Sequence, residues 1–406
     1  MNARTVLVLA LLAAISPLAT GMYLAAFPAM ADDLSTDAAS VQLTMTTFLA
    51  GLAAGQLVLG PISDRIGRRT PLLAGTATCV LASALCAVAP TIGVLIAARF
   101  VQGFAGAAGI VLGRAIVADR VRGSAAARTF SVLMTLGALA PVVAPLLGGA
   151  LLGPVGWRGV FAVLTGLTVL MLLGAFFLLP ESLPWARRAG RRADGTARAV
   201  LTDRDYLGHA VAFVFSYGTL LAYVSASPFV LQVVFGLSPG WYSVVFAANA
   251  CGLTVASLAN ARLVGRFGAR RLLGIGLGWQ LGTAVVLLVL TLTGAPALPA
   301  VLVLLWSSVT ALGLIMGNAT SLALARVPAG AGTGSAVLGA AQFGLAAAVA
   351  PLVGLGGDDT AVPMAIAMVV TATVAAAAGW RARRRAPSPS TPVPLLKGPD
   401  PCSSTA

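Results

Sequence analysis

The chain is poor in charge. Asp, Glu, Lys and Arg together make up 9% of its 406 residues, where soluble domains run near 25%. With 58% hydrophobic residues and a mean hydropathy of +0.95, it cannot cover its apolar surface in water and must sit in lipid. Histidine occurs once, at His209, and cysteine four times, at Cys79, Cys86, Cys251 and Cys402, with no ligand spacing. These counts exclude a disulfide framework and a His/Cys metal site, and the cysteines inside apolar runs read as small core residues. No Walker-type phosphate loop is present, since the glycines at 274, 276 and 278 follow no strand; ATP is therefore not the energy source. No catalytic triad, cofactor motif or metal cluster can be assembled, so no enzyme is expected.

What the chain has instead is twelve apolar runs, at about 6–29, 40–61, 72–92, 94–117, 129–152, 158–180, 206–233, 241–264, 271–293, 298–325, 332–356 and 361–380. A helix needs about 20 such residues to cross the hydrocarbon core. The ten-residue alternation of a barrel strand is missing. The expected fold is all-α, with twelve transmembrane helices. The first run begins with Arg4 and Val6 to Ile15, as a signal peptide would, but its apolar character continues to Phe27, so it reads as a retained span.

The 25 arginines and one lysine give a net charge of +14, and they are sorted by loop. Arg4, Arg65, Arg68, Arg69, Arg120, Arg122, Arg128, the six arginines from Arg187 to Arg204, Arg262, Arg266, Arg270, Arg271, Arg326 and the group from Arg381 to Lys397 fall in alternate loops. The other loops hold Asp32, Asp33, Asp37, Asp358 and Asp359, with Arg158 alone among the basic residues. The positive-inside rule then places both termini in the cytoplasm of a multi-pass plasma (inner) membrane protein. This basic charge is topological, and nucleic-acid binding is not implied. The arginines before the tail are placed to meet anionic lipid headgroups.

The two halves repeat. Gly55-Gln-Leu-Val-Leu-Gly60-Pro-Ile-Ser-Asp64-Arg65-Ile-Gly67-Arg68-Arg69 has a degenerate copy, Asn260-Ala-Arg262-Leu-Val-Gly265-Arg266-Phe-Gly268-Ala-Arg270-Arg271, with Asp64 and Gly265 201 positions apart. Tyr23 to Pro28 matches Tyr223 to Pro228, and Val143 to Gly148 matches Val349 to Gly354. Fused copies of one bundle are the layout of a secondary transporter with parallel repeats. The expected division is an N-terminal six-helix bundle (1–180), a cytoplasmic linker (181–205), a C-terminal six-helix bundle (206–380) and a disordered tail rich in Pro and Ser (381–406).

These residues resemble the major facilitator superfamily, and within it the drug:proton antiporters of the bicyclomycin-resistance (Bcr/CflA) type, over about 6–380. The turn after the second run, with Gly60, Asp64, Arg65, Gly67, Arg68 and Arg69, resembles the superfamily's signature loop; the resemblance implies a gate and conformational switch. Arg99-Phe-Val-Gln102-Gly103 resembles its buried-arginine motif. An intramembrane guanidinium costs about 2.5–3.5 kcal/mol on insertion scales, so Arg99, Gln102 and, nearer the cytoplasmic end, Arg114 are candidates for coupling or substrate contact. Pro141, Pro145, Gly148 and Gly149 resemble the motif that marks exporters, where prolines bend the helix and small residues allow close packing. Tyr223, Ser227, Pro228, Gln232 and Asn249 resemble the branch's seventh and eighth spans, and Gln342 its eleventh. With Tyr23, Phe27 and Tyr217 they are expected to line a cavity built chiefly from spans 1, 4, 7 and 10.

The implied activity is export of small drug-like molecules by alternating access, coupled to proton influx, by a monomer. A metabolite importer or uncoupled facilitator on the same fold, or a non-transporting membrane sensor, remains open. One absence bears on both substrate and coupling. Relatives of this type commonly carry an acidic residue in span 1 where this chain has Gly21, and all twelve carboxylates here fall in loops or at span ends. The cavity is therefore expected to hold arginine and no anion.

Overall fold

The computed structural model describes residues 3–120, 123–183, 201–294, 297–327, 331–354 and 360–385. Residues 184–200 of the expected linker, Asp358 and Asp359, and the tail from 386 lie outside the described residues. The described chain is helical throughout, with no strand. In order come α1 (Ala3–Gly21), a 3₁₀ turn (Leu24–Ala26), α2 (Phe27–Asp33), α3 (Ala38–Ile66), α4 (Arg69–Ala87), α5 (Ile92–Arg120) and α6 (Gly123–Leu178). There follow α7 (Arg204–Phe229), a π turn (Val230–Val234), α8 (Pro239–Phe267), α9 (Ala269–Leu292), α10 (Leu298–Leu324), α11 (Ala331–Gly354) and α12 (Val362–Arg385). Residues 381–385, assigned above to the tail, continue α12 as helix.

Eleven of these segments are long and apolar enough to cross a membrane, one fewer than the twelve runs. The difference lies in α6. A helix of its 56 residues would be about 84 Å long, far more than a core of about 30 Å. It breaks at Gly156 (φ 65°, ψ −179°), the left-handed conformation that glycine adopts without steric cost. Its ends show that the chain turns back there. Trp157 and Arg158 meet Asp33, whereas Phe176 and Pro180 meet Arg69 and Arg120. The two arms of α6 are the fifth and sixth runs.

Local sequence sets the helix starts. Asp37 caps α3 by accepting from Ser40 N at 2.8 Å, Asp203 caps α7 by accepting from Tyr206 N at 2.7 Å, and Ser238 precedes Pro239 at the start of α8. The two copies of the charged turn end alike. Gly67 (φ 102°) donates to Ser63 O at 3.1 Å, and Gly268 (φ 76°) donates to Val264 O at 2.9 Å. The repeat seen in sequence is thus a repeat of backbone geometry.

Helix contacts rest on small residues, because hydrocarbon gives no hydrophobic drive between helices and close van der Waals approach must supply the attraction. Gly51, Gly55 and Gly103 press α3 and α5 together so closely that a Cβ on any of them would run into a backbone carbonyl, of Phe100, Phe104 and Phe48 respectively. Gly109 does the same for α5 on α1 at Leu12. Gly103→Ala is expected to destabilise by about 1–3 kcal/mol through overpacking, read as a lower midpoint of thermal unfolding in detergent. Gly282→Ala, with nothing within 4 Å of its Cβ position, should not lower it. A Gly103→Ala protein as stable as the wild type would contradict this packing.

Candidate functional site

A cavity of about 470 Å³ lies between α1, α3, α5 and α6 on one side and α7, α8, α10 and α11 on the other. Its wall is mostly apolar, with Leu24, Met45, Leu49, Leu52, Phe246 and Phe343 among the lining residues. The polar groups are few: Ser16, Thr20, Tyr217, Tyr223, Asn249 and Arg114. Asn249 Nδ2 donates to the Tyr223 hydroxyl at 2.6 Å, and the Tyr223 ring stacks on Phe246. Ser16 Oγ is buried in the wall without a hydrogen-bond partner. Among the described residues, Arg114 is the single charged residue of the lining, and no carboxylate borders the cavity. Spans 1 and 7 supply most of the wall and span 4 adds Ile110, Gly113 and Arg114, as expected; spans 2 and 8 also contribute, whereas span 10 supplies only Val309.

One end of this cavity is closed. Tyr23 and Phe27 are buried, with Phe27 against Phe229 at 6.0 Å between ring centroids, so α2 meets the end of α7. Gly148 and Gly149 of α6 leave no room for a Cβ, the first against the Met22 carbonyl and the second against Ser243 of α8. Asp33 pairs with Arg158 at the same end and accepts from Trp157 Nε1 at 3.1 Å. At the other, arginine-rich end Arg114 is exposed, so solvent reaches the cavity from there.

Arg99 is wholly buried. Its guanidinium carbon lies 4.2 Å from the ring centroids of both Tyr23 and Phe48, and 5.7 Å from that of Phe161. Nη1 donates to Ala19 O at 3.0 Å and to Gln102 Oε1. Gln102 Nε2 in turn donates to Ser83 Oγ at 2.7 Å. A desolvated cation–π contact is worth about 2 kcal/mol. Two close rings therefore match an insertion cost of about 2.5–3.5 kcal/mol. Among the described residues no carboxylate pairs with Arg99, and its Nε and Nη2 have no hydrogen-bond partner, so the rings carry the charge and hold α1, α3, α5 and α6 to one another.

The charged turn is a second network. Arg68, 3% exposed, holds Asp64 at 2.7 Å, Asp119 of α5 at 3.1 Å and Ser63 Oγ at 2.6 Å. Glu181, just past α6, accepts from the backbone N–H groups of Arg68 and Arg69 at 2.9 and 3.2 Å. Arg69 donates to Phe176 O at 2.9 Å and Arg120 to Pro180 O at 3.0 Å. Arg65 is exposed, and Gly60 faces Val111 of α5.

Comparison with known proteins agrees with this architecture. The sequence model of the Major Facilitator Superfamily matches residues 9–351. The chain belongs to that superfamily. It is 39% identical to an MFS-type transporter of Bacillus subtilis (strain 168), YdgK, over 89% of this chain and 91% of that one. It is 32% identical to the bicyclomycin resistance protein homolog of Haemophilus influenzae, over 89% and 92%. A bacterial homolog of the human lysosomal transporter Spinster shares the fold with a TM-score of 0.75 at 16% identity, over 93% of this chain and 96% of that one.

Among superfamily motifs found in sequence, the structure brings Tyr217, Tyr223, Asn249, Pro141 and Arg114 to the cavity. Others go elsewhere. Arg99 and Gln102 do not border it, because the aromatic rings and Ser83 hold them inside the first group of helices. Tyr23 and Phe27 form the closed end, and Ser227 bonds to Tyr242 at 3.2 Å behind the wall. Pro228, Gln232 and Gln342 are likewise absent from the lining, and Pro145 packs on Gly21. A Cβ at Gly21 would stand 2.8 Å from the Ala144 methyl, so an acidic residue there requires α1 and α6 to part.

The sequence offered Asp119 as a proton-coupling candidate but did not join it to Arg68, and it gave Glu181 no partner; both belong to the network of the charged turn. Glu181 carried a signal, since it is the chain's single glutamate and follows Pro180. Burial by itself would raise its carboxyl pKa, but N–H groups of Leu183, Arg68, Arg69 and Ser182 outweigh this and hold it below the ordinary 4.5. A lowered carboxyl stabilises the fold fully above its ordinary value and stops doing so as pH falls through the lowered one. The thermal stability of wild type should therefore exceed that of Glu181→Gln near pH 7, with the gap narrowing below about pH 4.5. A gap unchanged into acid would contradict the ionised bridge.

Proposed function

We propose that this superfamily member exports small neutral, zwitterionic or anionic drug-like molecules from the cytoplasm by alternating access. The observation that carries the reading is the cavity itself: about 470 Å³, largely apolar, with Arg114 as its one charge among the described residues and entry from the arginine-rich end. That end is cytoplasmic by the positive-inside rule, and the division into bundles 1–180 and 206–380 follows the repeat. The naming of the Haemophilus relative as a bicyclomycin resistance protein homolog supports a drug substrate. Packing of Gly148 on Met22, just past α1, and of Gly149 on α8 suits an exporter whose closed end must open by sliding. The turn of Asp64 and Arg68 is the proposed switch, because its ion pairs join α3, α4 and α5 and can break and re-form.

Protons are the proposed counter-ion, and their carriers lie outside the cavity. A guanidinium does not deprotonate, so the candidates are Asp33, Asp64, Asp119 and His209. Uncoupled transport is the second reading, favoured by the missing cavity carboxylate.

Uptake of a labelled neutral antibiotic into proteoliposomes, with and without a pH gradient, separates the readings. Gradient-driven uptake supports coupled export, equal uptake supports the facilitator, and no uptake contradicts transport. The charge argument has its own test. A unit charge about 8 Å away at an effective dielectric near 20 repels a cation by about 2 kcal/mol. Removing it by Arg114→Gln should therefore raise ethidium efflux relative to neutral antibiotic efflux by up to about thirtyfold. Strong ethidium efflux by the wild type, unchanged in the variant, would refute it.

A further inference from the structure

A second hollow, of about 450 Å³, has no part in the transport cavity. It runs along the outer side of the molecule between α9 and α12, with His209 of α7 behind it. Arg270, Leu273, Leu277 and Leu281 follow one another along one face of α9, and Trp380 closes the groove from α12. Its floor is tight: a Cβ on Gly379 would stand 2.5 Å from Leu277 Cδ1. Neighbouring Ile275, Val286 and Val370 are exposed, so in a membrane protein this face meets hydrocarbon.

We propose that the groove binds one anionic phospholipid of the leaflet at the arginine-rich end. Its acyl chain lies along Leu273 to Leu281 and its phosphate sits at Arg270 and His209. Four observations converge. From Arg270 to Leu281 the helix rises roughly 16 Å, the depth of one leaflet of a core about 30 Å thick. Arg270 is exposed and, among the described residues, has no carboxylate partner. His209 is 5% exposed, borders the groove, and its Nδ1 has no hydrogen-bond partner. The Trp380 indole is 59% exposed, as suits a ring at the boundary of headgroup and chain. A soluble phosphate would leave the leucine wall uncovered, and a partner helix would leave Arg270 unpaired. A diacyl anion satisfies both. The bound lipid would fill the space between α9 and α12 and join α7 to them. It does not depend on what the protein transports.

The test uses the full chain, purified in detergent and offered phosphatidylglycerol or phosphatidylcholine, with retained lipid counted by native mass spectrometry. Wild type should keep one phosphatidylglycerol in preference to phosphatidylcholine. Arg270→Gln should weaken that binding about fivefold. Gly278→Phe should abolish it by filling the groove; its Cβ position has nothing within 4 Å, so the helix packing is retained, and an unchanged unfolding temperature verifies this. Arg262→Gln, an exposed arginine of the preceding turn, should leave binding intact. Undiminished binding in Gly278→Phe, equal weakening in Arg262→Gln, or equal retention of phosphatidylcholine would overturn the site. So would glycerol phosphate binding as tightly as the lipid.

Discussion

Hydrocarbon cannot solvate a charge, so every charge in the interior must be met by the protein or by water that the protein admits. Three arginines meet this constraint in three ways, and the molecule is organised around them. Arg99 is met by the faces of Tyr23 and Phe48 and by neutral hydrogen bonds. Arg68 is met by Asp64 and Asp119. Arg114 is met by the solvent of the cavity it borders. A charge satisfied by rings is immobile, a charge satisfied by carboxylates responds to protons, and a charge facing a cavity acts on whatever enters. The packing role of Arg99 and the roles proposed for Arg68 in switching and Arg114 in selectivity are thus separated along the same few helices.

The two charged turns show how a repeat can diverge. Both end on a glycine with positive φ and the same backbone bond, at Gly67 and Gly268. Only the first carries the network, because Ala269 stands where the first copy has Arg68, and Gly265 where it has Asp64. The second turn keeps the shape and has lost the ion pair at its heart. The proposed switch therefore belongs to the first group of helices, where Glu181 extends it to the end of α6.

The spans and the repeat were legible in the sequence because lipid imposes them: length and hydropathy leave few alternatives. The prolines of the fifth run pointed to a bend there, whereas the described break falls at Gly156, between the fifth and sixth runs. The cavity was less legible. Arg99 and Arg114 are 15 residues apart, which an ideal helix turns by only about 60° while it rises about 22 Å. They therefore share nearly one face and differ in depth, and depth decides that one meets aromatic rings and the other solvent. Periodicity does not report depth. Nor does it separate Tyr217, which faces the cavity, from Tyr23, which seals its end, since both lie in continuous apolar runs. The acceptor role of Glu181 was hidden for another reason: its partners are backbone N–H groups 112 and 113 residues away.

The central claim is that the cavity's field is positive and uncompensated. The most direct measurement is calorimetric binding of three ligands of one shape, a quaternary cation, its neutral carbon isostere and a matched carboxylate, to the purified protein at low salt. The account predicts that the carboxylate and the neutral ligand bind more tightly than the cation. Tightest binding by the cation would contradict it.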